Sequence, residues 1–182
     1  MVTMNSKKIL LANNEELLVR TLDTNDSELH VDFSNKIYDE SAYLFQVDTS
    51  KNTIEKSSAI INRFKDAPRN FAIGAFIEQE LAGLIYIWEV STIKLYNKNC
   101  DLGISVRKSH RGKGIAKALM LEAEDQAKAS DYKRLQFSVV STNEPAIQLY
   151  KKLGYSEEGL RKSSIFFNDE YLDELFMGKI IS

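Results

Sequence analysis

Cys100 to Ser130 reads CDLGISVRKSHRGKGIAKALMLEAEDQAKAS, and the six residues from Arg111 to Ala116 at its centre set the interpretation of the whole chain. From Asp101 to Val106 a β-branched and apolar run ends at a basic, polar break, and from Gly112 onward Ile115, Ala118, Leu119 and Ala123 recur at helical spacing. The spacing predicts a strand, a glycine loop and a helix. A helix N-terminus presents unpaired backbone N–H groups at the positive end of the helix dipole, so such a loop can hold an anion such as a pyrophosphate. Gly112 and Gly114, lacking Cβ atoms, tolerate positive φ and let those donors converge, while Arg111 and Lys113 add positive charge beside them. Two other phosphate loops are excluded by their spelling. A Walker A loop requires GxxxxGK followed by Ser or Thr, and Gly103, the one glycine at a plausible distance, gives nothing of that form. The dinucleotide fingerprint GxGxxG has Lys117 where its third glycine belongs.

What the stretch does spell is RxxGxA, through Arg111, Gly114 and Ala116, and here the chain resembles the GNAT superfamily of acyl-CoA-dependent N-acyltransferases. A second element carries the same resemblance at the right distance: a strand over Arg134 to Val140, then Asn143, then AIQLYKKLGY from Ala146 to Tyr155. Together the two elements cover about a third of the chain. The resemblance implies an α/β fold, namely a single-domain GNAT-like fold whose mixed, mostly antiparallel twisted sheet is flanked by helices.

The rest of the sequence agrees with one globular domain. With 182 residues, 43% hydrophobic and 27% charged, the chain can bury a sizeable core. A formal net charge of −2 gives no global attraction to nucleic acid or to an anionic membrane. One cysteine, Cys100, excludes an internal disulfide, and with no signal peptide or long apolar run it fits a reducing cytoplasm. His30 and His110 are too few and too far apart to suggest a metal, so none is expected.

Residues 1–14 are polar without a sustained period and read as a frayed arm, with the domain over 15–182. Leu17 to Leu22 alternates as a strand, and Asp23 to Asp26 supplies helix-capping residue types. Leu29, Phe33, Ile37 and Tyr38 then make a helical stripe, with Tyr43, Leu44 and Phe45 extending it. A second helix is expected from Thr53, with Ile54, Ser57, Ile60, Ile61 and Phe64 on one face, ending before Pro68. Phe71 to Ile77 and Leu81 to Val90 predict a hairpin, Glu144 to Leu153 a short helix ended by Gly154, and Tyr155 to Phe167 with Tyr171 to Ile180 a final strand pair.

Acetyl transfer to an amine makes four chemical demands. The pyrophosphate of acetyl-CoA is expected at Arg111, Gly112, Lys113, Gly114, Ile115 and Ala116. By resemblance, the backbone of Ile104, Ser105 and Val106 would pair with the pantetheine arm as though it were an added strand, and Asn143 would contact the cofactor or cap its helix. A free lysine-like amine has a pKa of about 10.4, so a base must take its proton; Glu89, at the end of the neighbouring strand, is the carboxylate expected there, against the plain reading of an exposed strand-end glutamate. The departing thiolate needs a proton, and Tyr150 matches the tyrosine that often supplies it in the resembled family, against the plain reading of a ring packed on the helix's inner face. Cys100 stands far along the chain from any histidine able to activate it, which favours direct attack over an acyl-cysteine.

The expected partners are acetyl-CoA as cosubstrate and an amine acceptor, small or carried on a protein or peptide, with a homodimer left open. The ending GLRKSSIFFNDEYLDELFMGKII resembles relatives that acetylate protein N-termini, ribosomal proteins or polyamines. A free amino acid or an antibiotic as acceptor, and a non-catalytic acyl-CoA-binding module, are the alternatives.

Overall fold

The computed structural model describes residues 6–40, 51–167 and 169–181. The chain runs through β1 (Lys7–Leu10), β2 (Glu16–Thr21), α1 (Ser27–Glu40), α2 (Ile54–Asp66), β3 (Phe71–Ile77), β4 (Glu80–Glu89), β5 (Asn99–Val106), α3 (Ile115–Ala129), β6 (Arg134–Val140), α4 (Glu144–Lys152), β7 (Ser156–Phe167) and β8 (Glu170–Ile180). The capping residues act as their types predict. Asp23 forms a reciprocal capping box with Asp26 at a 3₁₀ turn that leads into α1, and the Thr53 hydroxyl accepts from the Lys56 N–H at the start of α2. Gly154, at φ +87°, follows α4 in the left-handed region that a residue with a Cβ rarely enters. Tyr43, Leu44, Phe45 and Asn168 lie outside the described residues.

One part of the sequence reading needs correction. Within the expected arm, Lys7–Leu10 is an edge strand paired antiparallel with β2. It escaped the pattern search because edge strands carry lysines rather than alternating apolar residues. Its anchor is remote in sequence: the Lys7 ammonium lies 2.6 Å from Glu122 and 3.3 Å from Asp125, both on α3.

The described strands form one sheet in the order β1-β2-β3-β4-β5-β6-β8-β7, antiparallel throughout except between β5 and β6. Because side chains alternate across a strand, each face has its own cluster. Ile73, Ile85, Ile87, Cys100, Leu102, Leu135 and Phe137 meet Ile115, Leu119 and Ala123 of α3 and Ile147 and Tyr150 of α4 on one face. On the other, Ala72, Phe76 and Leu84 meet Phe33 and Ile37 of α1 and Ile61 of α2. The seat of α3 depends on Gly83 in β4: a Cβ there would come within 2.9 Å of Ile115 and 3.0 Å of Leu119. A polar network lies under α1, where the His30 ring has Nδ1 2.8 Å from Ser57 Oγ and Nε2 2.5 Å from Tyr86 Oη.

Candidate active site

The site begins where the sheet comes apart. β5 keeps its register with β4 all the way to Val106, but pairs with β6 only from Asn99–Arg134 to Asp101–Gln136. Beyond Asp101 the ladder between the two parallel strands ends, and the edge of Leu102–Val106 that faces β6 has no ladder partner among the described residues. Ile104, Ser105 and Val106 thus lie on an unpaired edge inside the sheet, the place where an extended ligand can complete the ladder.

The chain leaves β5 by a route fixed at several points. The Arg107 N–H donates to the Ala82 carbonyl at 3.0 Å, and the buried Arg107 guanidinium pairs with Glu80 and, at 3.4 Å, with Asp32. The Lys108 N–H donates to the Glu40 carboxylate at 2.6 Å. After the 3₁₀ turn Lys108–His110 come Gly112 at φ +78° and Gly114 at φ +92°, both left-handed. A Cβ on either would have no atom within 4 Å, so the concavity they border is open. The first backbone bond of α3 runs from the Ala118 N–H to the Gly114 carbonyl at 3.1 Å, so the N–H groups of Ile115, Ala116 and Lys117 have no acceptor within the helix. These donors, the dipole of the 15-residue helix and the missing side chains suit a pyrophosphate.

The two basic side chains of the loop are less free than the sequence implies. Arg111 Nε donates to the Val106 carbonyl at 3.1 Å, tying the loop back to the end of β5. Lys113 Nζ lies 2.9 and 3.1 Å from the two oxygens of the Glu15 carboxylate. His110 is buried, with Nε2 3.3 Å from a Glu80 carboxylate oxygen but not in hydrogen-bond geometry, and burial, then Lys113 and Arg107, lower its pKa.

Across the opening, Asn143 starts α4 with its backbone carbonyl, which accepts from the Ala146 and Ile147 N–H groups, and makes no side-chain cap bond. Its amide is therefore not committed to capping. Tyr150 is 7% exposed, with its ring edge-on to Phe137 at 4.5 Å between centroids. Ile104 and Val106 pack against the cluster that contains it. Its hydroxyl has no hydrogen-bond partner among the described residues, and burial pushes its pKa up to about 12.

Glu89 does not join this group. It follows Ile85 and Ile87 on the face beneath α3, opposite Cys100, on rungs where the sheet is still closed. Arg69 holds it at 3.0 Å while also donating to the carbonyls of Ser130 and Asn97. The carboxylate at the vertex of the opening is Asp101. It alternates away from the buried Cys100 and Leu102 onto the other face, half-buried, beside Trp88, whose ring lies 3.5 Å from where a Gly103 Cβ would stand. Burial raises its pKa, against the neighbouring Gln136, which lowers it. The sequence held a signal for it, a lone charge within an apolar run, but not its position at the vertex. Cys100 is fully buried, its pKa pushed up to about 12 chiefly by burial, so it stays a thiol.

A sheet opened between two parallel strands, with a left-handed glycine loop at the mouth and no competing nucleotide fingerprint, defines the class of acyl-CoA N-acyltransferases. The family model described as Acetyltransferase (GNAT) family matches residues 35–155, and the chain belongs to that family. It is an acetyl-CoA-dependent N-acetyltransferase. Among curated relatives, the chain is 31% identical to an L-amino acid N-acetyltransferase of Escherichia coli, over 65% of this chain and 73% of that one. It is 28% identical to a spermidine N(1)-acetyltransferase of Vibrio cholerae, over 59% of this chain and 61% of that one. Among solved structures, a GNAT-family acetyltransferase of Streptococcus pneumoniae superposes with a TM-score of 0.84 at 28% identity, covering 92% of this chain and all of that one. A phosphinothricin acetyltransferase of Sinorhizobium meliloti in complex with acetyl-CoA shares the fold, with a TM-score of 0.81 at 17% identity over 94% and 89% of the two chains.

Proposed function

We propose that this enzyme moves the acetyl group to a primary amine by direct attack in a ternary complex, and that the acceptor is a polyamine or the N-terminus of a protein. The observation that carries the mechanism is the end of the ladder between β5 and β6 beyond Asp101, with the glycine loop at one end and Tyr150 in the cluster alongside. Acetyl-CoA supplies an already activated thioester. The loop amides from Gly112 to Ala116 hold its pyrophosphate, with Arg111 and Lys113 beside them, and Ile104, Ser105 and Val106 align its arm. The Asn143 amide steadies it from the α4 side. A backbone N–H of β5 meets the charge that develops on the carbonyl oxygen.

Asp101 takes the proton from the acceptor's ammonium, directly or through water, in place of Glu89, whose charge is compensated by Arg69. Burial makes Asp101 a stronger base than a free aspartate. The amine lone pair adds to the thioester carbonyl carbon, and as that tetrahedral centre collapses the C–S bond breaks, the surplus proton on nitrogen passing through water to the Tyr150 oxygen once Tyr150 has protonated the thiolate. Tyr150, with its raised pKa, keeps its proton at neutral pH and stabilises the departing thiolate first as a hydrogen-bond donor, then as the proton source.

The acceptor face supports a cationic partner. There Asp101 lies beside Trp88 and has no basic partner among the described residues, whereas Glu174, further along the same face, is already matched by Arg161 at 3.1 Å, with that guanidinium over the Phe176 ring, so Asp101 is the carboxylate an incoming ammonium would meet. A free amino acid is the second reading, favoured by the Escherichia coli relative. A thiol-release panel of polyamines, peptides with free N-termini and L-amino acids separates them. Turnover confined to amino acids overturns the acceptor assignment, and acetyl-CoA binding without thiol release from any amine overturns catalysis. Within the same panel, Asp101→Asn should lose the acid limb of the pH–rate profile while acetyl-CoA affinity holds; an unchanged profile removes Asp101 from the role.

A further inference from the structure

Lys113 stands between the two left-handed glycines of the loop, yet in the ligand-free protein its charge is already matched. The two contacts to Glu15, at 2.9 and 3.1 Å, span 98 positions of sequence and join the loop to the turn between β1 and β2. That turn is itself well defined. The Leu11 N–H donates to the Glu15 carbonyl at 2.9 Å, the Glu15 N–H donates to Asn13 Oδ1 at 3.2 Å, and Asn14 sits at φ +64°. Asn13 first and then Lys113 hold the Glu15 carboxyl below the usual carboxylate range, so it is anionic at neutral pH. The neighbouring His110 has its pKa lowered by burial, then by Lys113 and Arg107, against Glu15 and Glu40, and its Nε2 lies 3.3 Å from Glu80, so the close ion pair of Glu15 is with Lys113.

We infer that Glu15 is an internal competitor for Lys113: its carboxylate occupies the ammonium that the phosphates of acetyl-CoA would otherwise engage, and thereby sets the affinity for the cosubstrate. A phosphate oxygen makes a charge-assisted bond at least as strong as a carboxylate's, so the ligand can take Lys113 over, at the cost of breaking the existing pair. The pair is only partly exposed, with side-chain accessibilities of 27% and 38%, so it is not fully screened. When Lys113 turns to the ligand, the β1–β2 turn loses its tether to the loop. This inference rests on the reading of the glycine loop as the phosphate site.

The test is a double-mutant cycle on the full chain, with calorimetric affinities for acetyl-CoA and for acetyl-pantetheine, which lacks the pyrophosphate. Glu15→Gln should bind acetyl-CoA about two- to fivefold more tightly, as expected for releasing one partly exposed ion pair. Acetyl-pantetheine affinity should not change, and the gain should vanish in a Lys113→Met background. Unchanged or weaker acetyl-CoA binding by Glu15→Gln, an equal gain for acetyl-pantetheine, or a gain that survives Lys113→Met each overturns the competition. Failure of the underlying loop reading looks different: Lys113→Met and Gly114→Val would then both bind acetyl-CoA like the wild type.

Discussion

Gly114→Val separates the loop's binding role from any packing role, because the structure gives the two effects different sizes. A Cβ at Gly114 meets nothing within 4 Å, so the folded state loses no packing, and its only cost is a left-handed φ of +92° imposed on an L-residue. That cost is about 1–2 kcal/mol, or a fall in Tm of about 2–8 °C for a chain of this length. The bound state loses far more. The valine methyls project into the concavity where the phosphate would approach, and losing one or two charge-assisted hydrogen bonds at about 1.5–3 kcal/mol each weakens binding by about 10- to 10⁴-fold. Calorimetry with acetyl-CoA, beside circular dichroism and a melting curve, measures both quantities. Gly114→Ala carries a similar backbone cost with less bulk and should fall between. Wild-type affinity in Gly114→Val would refute the placement of the phosphate, and a collapsed fold would refute the claim that the position is free of packing.

Tyr150→Phe should lower kcat by about 10²- to 10⁴-fold with acetyl-CoA affinity nearly unchanged, and since its hydroxyl has no hydrogen-bond partner among the described residues, Tm should hold; full activity would end the general-acid role. Acetyl-CoA at about 100 times its Kd should raise Tm by about 5–10 °C while ATP and NADH do not, and an equal shift with ATP would return the loop to nucleotide binding. His30 titrates at about 4 in the folded protein, pushed down by burial, against 6.5 unperturbed. The unfolded chain therefore binds more protons between those values, and stability is whole above about pH 6.5 and falls by about 3 kcal/mol towards pH 4. Denaturant melts of the wild type and His30→Gln across that window should differ in slope, and parallel curves would contradict it. Gly83→Ala should cost about 1–3 kcal/mol by pressing on Ile115 and Leu119, read as a lower Tm; an unshifted melt would show that α3 can retreat.

The elements that were legible in the sequence are those with strong local grammar. Arg134–Val140 alternates polar and apolar residues and Phe71–Ile77 is a continuous apolar strand, while Thr53 and Asp23 mark helix starts by side chains that accept from the adjacent backbone and Gly154 marks a helix end by its positive φ. The glycine loop could be located for the same reason, since positive φ at Gly112 and Gly114 is a local property. What stayed hidden depends on pairing across distance. Lys7–Leu10 becomes a strand through Glu122 and Asp125, and Lys113 loses its free charge to Glu15, neither of which leaves a periodic trace. Glu89 stands at the end of a strand, a position that suggests a base, but one step of alternation decides the face, and the rung opposite Cys100 turns it towards α3 and Arg69. The same alternation brings Asp101 to the other face at the vertex. A strand register, not a motif, distinguishes the two carboxylates.

The short parallel seam also divides the molecule mechanically. Between β5 and β6 the backbone is joined by pairing over Asn99–Asp101 with Arg134–Gln136, extended by the Lys133 and Arg134 N–H groups on the Lys98 carbonyl at 2.8 and 3.2 Å. On one side of the seam lies a leaf of β1 to β5, and on the other a leaf of β6, β8 and β7. Apart from this seam, the leaves are held together by the core under α3 and α4, which draws side chains from both. Amide exchange in the ligand-free protein should then find Leu102–Val106 the least protected stretch of interior strand. A ligand threaded along that edge would act as a missing rib, so that two leaves able to open separately unfold as one cooperative unit.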